Sequence, residues 1–318
     1  MIRILTDSAA DLTAAEAARP GVTVIPLQVL FADGTSARDG VDISGDDYYA
    51  RLKTEPKLPR TSQPSPETFM EFFEQARAAG DEVLAILIAS NLSGTFQCAK
   101  LAAETCEFTA VRFVDSRTAS QGEALLVREA LRRRETGETL DEIADAIEEL
   151  KGRIRILGVV DSLKHLHKGG RLPAAVAVVG GALGIKPVLS VIDGEIKLAD
   201  TARGRPGAYV ALFKQIEKLG GIDPAYGYVL LYSDEKSTVA PIHRYLHENC
   251  HLTGGRAAQL GAVIGTHIGP GCAALVLWRR RNKPCSRLES GKSSLSANHK
   301  NSATRSARCS ANMRFHTL

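Results

Sequence analysis

Short apolar runs alternate with longer amphipathic segments along the first half of the chain, which is the pattern of strands and helices in turn. The strand-like runs are 2–5, 22–31, 82–89 and 110–115. Helices are predicted over 66–79, 94–104, 122–135 and 140–151. Apart from Glu82, the run at 82–89 is uniformly apolar, as in a strand buried on both faces. This order predicts a parallel sheet with helices on both faces.

The pattern changes in the second half, where two strand-like runs flank the turn residues Asp193-Gly194 and predict a hairpin. Further strands are predicted over 154–160, 226–233 and 257–265, and helices over 161–169, 206–219 and 236–249. We therefore expect an α/β protein of two domains. Residues 1–152 form a parallel-sheet domain and residues 153–277 form a mixed-sheet domain.

Charge is distributed unevenly over the 318 residues. Residues 278–318 contain ten Lys or Arg, one Glu and eight Ser, whereas the other 277 residues carry a net charge of −5. A tail of this composition cannot bury a core and is predicted to be disordered. A nucleic-acid-binding core is disfavoured, because contact with phosphates needs a basic face.

The six cysteines are scattered and form no CxxC pair, which is typical of free thiols in a reducing compartment. The N-terminus lacks the pattern of a secretory signal, and no apolar run has the roughly 18 residues of a membrane span. These features predict a cytoplasmic protein without an integral membrane segment.

Three loops carry groups that could hold an anion. Ser93-Gly94-Thr95 opens a helix after a buried strand, where free N–H groups and hydroxyls can bind negative charge. Thr61-Ser62 lies in a hydroxyl-rich linker, and His267 lies in the glycine-rich segment 265–271, predicted as a loop. Each also has a structural interpretation: Ser93 as a helix cap, 61–66 as an ordinary linker and His267 as a structural histidine.

Arg171 and Arg203 lie beside flexible glycine-containing turns, where a guanidinium can bind carboxylate or phosphate or remain solvated surface charge. His243, His247 and His251 are spaced for one helix face, but no carboxylate stands at ligand spacing, so no metal site is predicted. Dinucleotide loops, phosphate loops and nucleophile elbows are missing from the sequence. Donors without a nucleophile or base favour binding over catalysis.

Seven short segments in the same order resemble the DegV family of bacterial fatty-acid-binding proteins, which includes the binding subunit of fatty acid kinase. They are TDSAADL at 6–12, TSQPS at 61–65, LSGTFQ at 92–97, VDS at 114–116, residues 161–172, IKP at 185–187 and GTHIGPG at 265–271. The resemblance implies two α/β domains with one long-chain fatty acid, such as hexadecanoate, held between them, and no other cofactor.

The resemblance also implies roles for particular residues. Thr61 and Ser93 match the positions whose hydroxyls hold the carboxylate, and His267 matches a histidine at the same polar end. Ser62 and the N–H groups of Gly94 and Thr95 are expected supports. Arg171 and Arg203 match positions associated with docking a kinase or stabilising phosphate.

In the family, a separate kinase converts the bound acid to an acyl phosphate that feeds phospholipid synthesis, so this chain itself is expected to have no catalytic residue. One alternative is a stand-alone phosphotransferase or hydrolase that uses Ser93 or Asp7. A second is a regulatory protein with lipid as a permanent core filler. One departure from the family pattern is Ala124, where relatives often have glycine; its methyl group is expected either to narrow the lipid tunnel or to change the choice of chain length.

Overall fold

The first sheet of this computed structural model, which describes residues 1–172 and 184–280, is parallel and has the strand order β2-β1-β6-β7. Its strands are β1 (Ile2–Asp7), β2 (Val22–Ile25), β6 (Glu82–Leu87) and β7 (Val111–Asp115). All the pairings are parallel, which confirms the expectation for the first half of the chain.

Helices cover both faces of this sheet. Helix α1 (Ala14–Ala17) is a single turn beside β2, and α2 (Gly45–Leu52) packs against Val29 and Val263 rather than against this sheet. The helices on the two faces are α3 (Pro66–Ala79), α4 (Thr95–Thr105), α5 (Gln121–Glu135) and α6 (Leu140–Lys151). Ile4 and Leu84 face the side of α5 and α6, while Leu5 and Val83 face α3 and α4. Because successive side chains of a strand point to opposite faces, both faces are apolar and both are covered.

The second sheet is mixed, with the order β10-β9-β8-β13-β11-β12, and it confirms the mixed sheet predicted for the second half. Its strands are β8 (Ile154–Val159), β9 (Ile185–Ile192), β10 (Glu195–Arg203), β11 (Tyr228–Tyr232), β12 (Arg256–Gln259) and β13 (Ala273–Trp278). The helices here are α7 (Lys164–Lys168), α8 (Gly204–Lys218), α9 (Ala240–Glu248) and α10 (Ala262–Ile268).

The predicted hairpin joins β9 to β10. Asp193 and Gly194 both have positive φ, 53° and 80°, as a tight two-residue turn requires. The Gly194 N–H donates to the carbonyl of Arg117 at 2.7 Å, so the hairpin tip rests on the first half of the chain.

A third, antiparallel sheet of short strands brings the Thr61 segment into place. It consists of β3 (Gln28–Leu30), β4 (Ser36–Arg38) and β5 (Arg60–Ser62), with β3 in the centre. Two sequence predictions are wrong here. The run 22–31 is not one strand, because Pro26 lies between β2 and β3, and Thr61-Ser62 lies in a strand rather than a linker loop.

Three further predictions differ from the structure. The run 257–265 is not a continuous strand: β12 ends at Gln259, and α10 begins at Ala262, so His267 lies on a helix rather than in a glycine-rich loop. Helix α7 spans only Lys164–Lys168 instead of 161–169. Trp278, predicted to begin the tail, is the last residue of β13 and is buried. Residues 281–318 of the predicted tail lie outside the described residues.

None of the helices in the described part of the chain is both long and apolar enough to cross a membrane.

Candidate functional site

An apolar cavity of about 110 Å³ lies between the first half of the chain and one face of the second sheet. The apolar lining residues are Leu27, Ile88, Leu92, Ala119, Ile156, Gly158, Val160, Leu166, Leu189, Val191, Ile196, Leu231, Leu260, Val263, Ile264, Ile268, Cys272 and Ala274. Such a lining suits an alkyl chain and excludes charged solutes.

Polar groups line the cavity at few positions, and Thr61, Ser93, Arg171 and His267 are among them. Thr61 and His267 are 206 residues apart in sequence, yet Thr61 Oγ1 lies 2.8 Å from His267 Nε2. Strand β5 supplies Thr61 and helix α10 supplies His267. The fold therefore brings together the two residues that the sequence placed on separate segments.

Ser93 lines the same cavity from the segment before α4. Its Oγ lies 2.8 Å from Thr95 Oγ1 and accepts a weaker bond from the Thr95 N–H at 3.4 Å. The Ser93 hydroxyl thus lies at the N-terminus of an 11-residue helix, where the helix dipole favours a negative charge.

Arg171 lies at the same end of the cavity. Its Nε donates to the Leu92 carbonyl at 3.0 Å and its Nη1 to the Gly169 carbonyl at 2.6 Å. Both partners are neutral backbone oxygens, so its positive charge remains available to an anion. Burial lowers the pKa of this guanidinium, although an arginine side chain remains protonated at neutral pH.

His267 is neutral at pH 7. Burial, together with the positive charges of Arg171 and His165, lowers the pKa of its imidazole to about 4. Its Nδ1 is buried and has no hydrogen-bond partner among the described residues. The ring therefore supplies hydrogen-bonding nitrogens rather than a charge, and Arg171 supplies the charge at this end.

A second, open cleft of about 910 Å³ adjoins the polar end of the cavity and shares Thr61, Arg171 and His267 with it. Its basic lining residues are Lys57, Arg60, Lys164, His165, Lys168 and Arg171. The acidic residue in this lining, Glu55, is paired with Arg51 at 2.8 Å. Thr61, Arg171 and His267 thus form the boundary between an apolar cavity and a positively charged cleft.

The other residues predicted for the site do not line the cavity. Thr95 is buried behind Ser93, whereas Ser62 and Gly94 are exposed, and none of the three lines the cavity. Arg203 is exposed where α8 begins, away from the residues that line the cavity and the cleft. Ala124 is fully buried in α5 but does not line the cavity, so the structure does not support a narrowing of the tunnel there.

The basic cleft was missed from the sequence, although a signal was present. The segment 55–60, EPKLPR, holds the two cations Lys57 and Arg60 just before Thr61, and Lys164 to Lys168 is another basic run. Neither run is unusual alone. Only the packing of β5 near α7 shows that both face one cleft.

Asp7, the residue of the enzyme alternative, is fully buried at the end of β1. Its two carboxylate oxygens accept the N–H groups of Ala9 and Ile88, each at 2.9 Å. Burial raises its pKa to about 7. Asp7 does not line the cavity, so its position indicates a structural role.

The histidines of α9 do not form a metal centre. His243 and His247 stack with ring centroids 6.5 Å apart, on the side of α9 remote from the cavity. Within residues 1–172 and 184–280, no group of three or more His, Cys, Asp or Glu side chains is arranged to hold a metal ion.

Comparisons with known proteins all match this chain to the DegV family over nearly its whole described length. A family model described as "Uncharacterised protein, DegV family" matches residues 1–280. A DegV domain-containing protein from Caldanaerobacter subterraneus subsp. tengcongensis is 36% identical over 275 residues, which are 86% of this chain and 97% of that protein.

Solved structures of similar fold include two described by their ligands. A fatty-acid-binding DegV family protein from Thermus thermophilus has a TM-score of 0.77 and 32% identity, covering 88% of this chain and 99% of its own. A stearic-acid-binding protein from Eubacterium ventriosum has a TM-score of 0.78 and 27% identity, covering 88% and 98% respectively.

Proposed function

Because the chain belongs to the DegV family, whose members with solved structures include fatty-acid-binding proteins, we propose that it binds one long-chain fatty acid in the cavity described above. The observation that carries this proposal is the arrangement of Thr61, Ser93, Arg171 and His267 at one end of a cavity whose other lining residues, apart from Ser120, are apolar. The carboxylate lies at this polar end, and the acyl tail fills the apolar part.

The acyl tail provides most of the binding free energy. Burial contributes about 0.8 kcal/mol per methylene, so a hexadecanoyl chain gains on the order of 10 kcal/mol before the cost of ordering it. Branched and unbranched apolar side chains from both halves of the protein line the cavity. The carboxylate then needs only enough hydrogen-bond donors from the protein to replace the hydrogen bonds to water that it loses on binding.

Those donors suit a carboxylate. The hydroxyls of Thr61 and Ser93 can each donate to one oxygen, and Arg171 balances the negative charge. Ser62 and the N–H groups of Gly94 and Thr95 are the supports that we propose around them. Because hydroxyls do not enclose the carboxylate in a tight ion pair, one of its oxygens stays reactive.

We further propose that the protein presents this carboxylate to a separate kinase in the cytoplasm. A carboxylate oxygen would attack the γ-phosphorus of ATP held by the kinase, the bond to the β–γ bridging oxygen would break, and ADP would leave. The basic cleft on the far side of Thr61 supports this step, since its cations favour an approaching phosphate. Arg171 faces the cleft, and Arg203 is the second arginine that we assign to kinase docking.

Binding of the acid is tested with delipidated protein. We expect hexadecanoate to bind with a stoichiometry of one and to exchange with added acid, measured by native mass spectrometry. A lipid that never exchanges would favour a permanent core filler. Turnover of ATP or an ester by the purified chain alone would favour the enzyme that uses Ser93 or Asp7.

The kinase step makes a separate prediction. With a purified fatty acid kinase catalytic subunit, Arg171→Ala and Arg203→Ala should each lower acyl-phosphate formation about tenfold or more, because each removes a cation that would bind phosphate or an acidic surface. Arg244→Ala is the matched control, since Arg244 is exposed on α9, away from the cleft. Equal rates for all three variants would contradict the assignment.

A further inference from the structure

The face of the second sheet that lines the cavity is organised in rows across the strands. One row joins Leu189 of β9, Gly158 of β8, Ala274 of β13 and Leu231 of β11, which are paired in register. All four line the cavity. The side chains at the two ends of the row are large and those in its centre are small. The side-chain layer on the sheet is therefore thinnest over Gly158 and Ala274.

The next row along the strands is bulky throughout. It joins Ile196 of β10, Val191 of β9, Ile156 of β8, Val276 of β13 and Val229 of β11. Ile196, Val191 and Ile156 line the cavity, whereas Val276 and Val229 belong to the buried core. The rows are two residues apart on each strand, which is a separation of about 7 Å.

The order of the rows relative to the polar end follows from the chain direction. Strand β8 runs from Ile154 to Val159 and leads into α7, whose Lys164 and Lys168 line the basic cleft. The carboxyl end of β8 is therefore the end nearest Thr61 and His267. From this end, the cavity passes first over Gly158 and Ala274 and then reaches Ile156.

Gly158 and Ala274 share one small space. A Cβ atom on residue 158 would lie 2.8 Å from the Cβ of Ala274, closer than real Cβ contacts. Only one of the two positions can therefore carry a side-chain carbon without moving the strands. Their small size leaves the passage open at the point where the cavity crosses the centre of the sheet.

We propose that these two rows set the length of the acyl chain: Gly158 and Ala274 form the passage, and Ile156 with Val191 and Ile196 forms the stop for the terminal methyl group. This inference rests on the proposed binding of a fatty acid and adds the residues that determine its length. The ligand class is a long acyl chain whose end reaches Ile156.

Neighbouring residues of the same strands provide matched controls. Leu157 and Ala273 belong to the core on the opposite face of the sheet, which packs against α8 and α9. Ile156→Ala and Leu157→Ala remove the same number of carbons one residue apart. Ala274→Val and Ala273→Val add the same two carbons one residue apart.

The experiment measures dissociation constants for saturated acids from about twelve to about twenty carbons. We expect Ile156→Ala to move the best-bound length upwards by about two carbons, and Ala274→Val to move it downwards, with about a fourfold loss of affinity for each methylene excluded. Leu157→Ala and Ala273→Val should lower the melting temperature but leave the preferred length unchanged.

The possible failures are distinguishable. If the unaltered protein binds no acid of any length, the proposed function fails. If it binds and Ile156→Ala has the same length preference as Leu157→Ala, the assignment of the stop is wrong. If Ala274→Val does not fold, as judged by circular dichroism, the comparison of Ile156→Ala with Leu157→Ala still tests whether Ile156 stops the acyl chain.

Discussion

Removing the hydroxyls of Thr61 and Ser93 together should weaken binding of hexadecanoate by about a hundredfold. The double variant Thr61→Val and Ser93→Ala keeps both side chains close to their original size, so the cavity is preserved. A hydrogen bond to a charged group contributes about 1.5–3 kcal/mol, and two such bonds account for this loss. Isothermal titration with delipidated protein measures it.

The control for this variant removes the same two groups elsewhere. Ser65 and Thr68 lie at the start of α3, with their hydroxyl oxygens 3.3 Å apart, and neither lines the cavity. Ser65→Ala with Thr68→Val should bind hexadecanoate like the unaltered protein. The methyl ester of the acid provides a second control, because it has no charged carboxylate to accept hydrogen bonds from the two hydroxyls. The double variant should therefore weaken binding of the ester less than it weakens binding of the acid. If the cavity variant binds the acid normally, the head group lies elsewhere.

Acidification from pH 8 to pH 6 should raise the free energy of unfolding of the delipidated protein by about 2 kcal/mol. Four buried carboxyl groups carry this effect. Burial raises the pKa of Asp7 to about 7 and that of Asp39 to about 6, and it raises those of Asp11 and Glu123 well above their usual range.

The direction follows from proton binding. A carboxyl group with a raised pKa holds a proton in the folded state at a pH where the unfolded chain has lost it, so stability falls as pH rises through the folded pKa. His165 and His267 oppose this trend, since the lowered pKa of each imidazole makes the folded state lose stability as pH falls below 6.5. Two groups against four leave a net gain on acidification.

Urea unfolding at several pH values measures this dependence. Asp7→Asn removes one titrating group at nearly constant size and should flatten the curve, whereas His267→Gln should steepen it. A free energy of unfolding that falls steadily from pH 8 to pH 6 would show that the buried carboxyl groups do not have these raised pKa values.

Local patterns were sufficient to predict the parallel sheet and the hairpin. The apolar run that follows Glu82 became a strand covered on both faces, and Asp193-Gly194 formed the tight turn because both residues adopt positive φ. These features depend on a few adjacent residues. For that reason they could be predicted without knowledge of distant contacts.

Helix α10 could not be predicted in the same way. Its sequence, AVIGTHI, contains β-branched residues and a glycine, all of which favour other conformations over an isolated helix. Distant carboxylates hold its N-terminus: Asp11 accepts the Gly261 N–H and Asp39 accepts the Ala262 N–H, each at 3.0 Å. Tertiary contacts therefore decide the structure of the segment that carries His267.

The sequence predicted polar residues at one end of the candidate site but none of the apolar residues that line the rest of it. Thr61, Ser93 and His267 stood out because they carry hydrogen-bonding groups within segments that resemble those of the DegV family. Apolar lining residues such as Ile156 and Gly158 look like ordinary core residues in sequence, and only the register of β8 with its neighbours distinguishes them.

A crystal structure of the protein loaded with hexadecanoate would locate both ends of the bound acid. We expect a carboxylate with its oxygens about 3 Å from Thr61 Oγ1 and Ser93 Oγ, and a tail that passes over Gly158 and ends against Ile156. A carboxylate bound away from Thr61 and Ser93, or an acyl chain outside the cavity, would contradict this expectation.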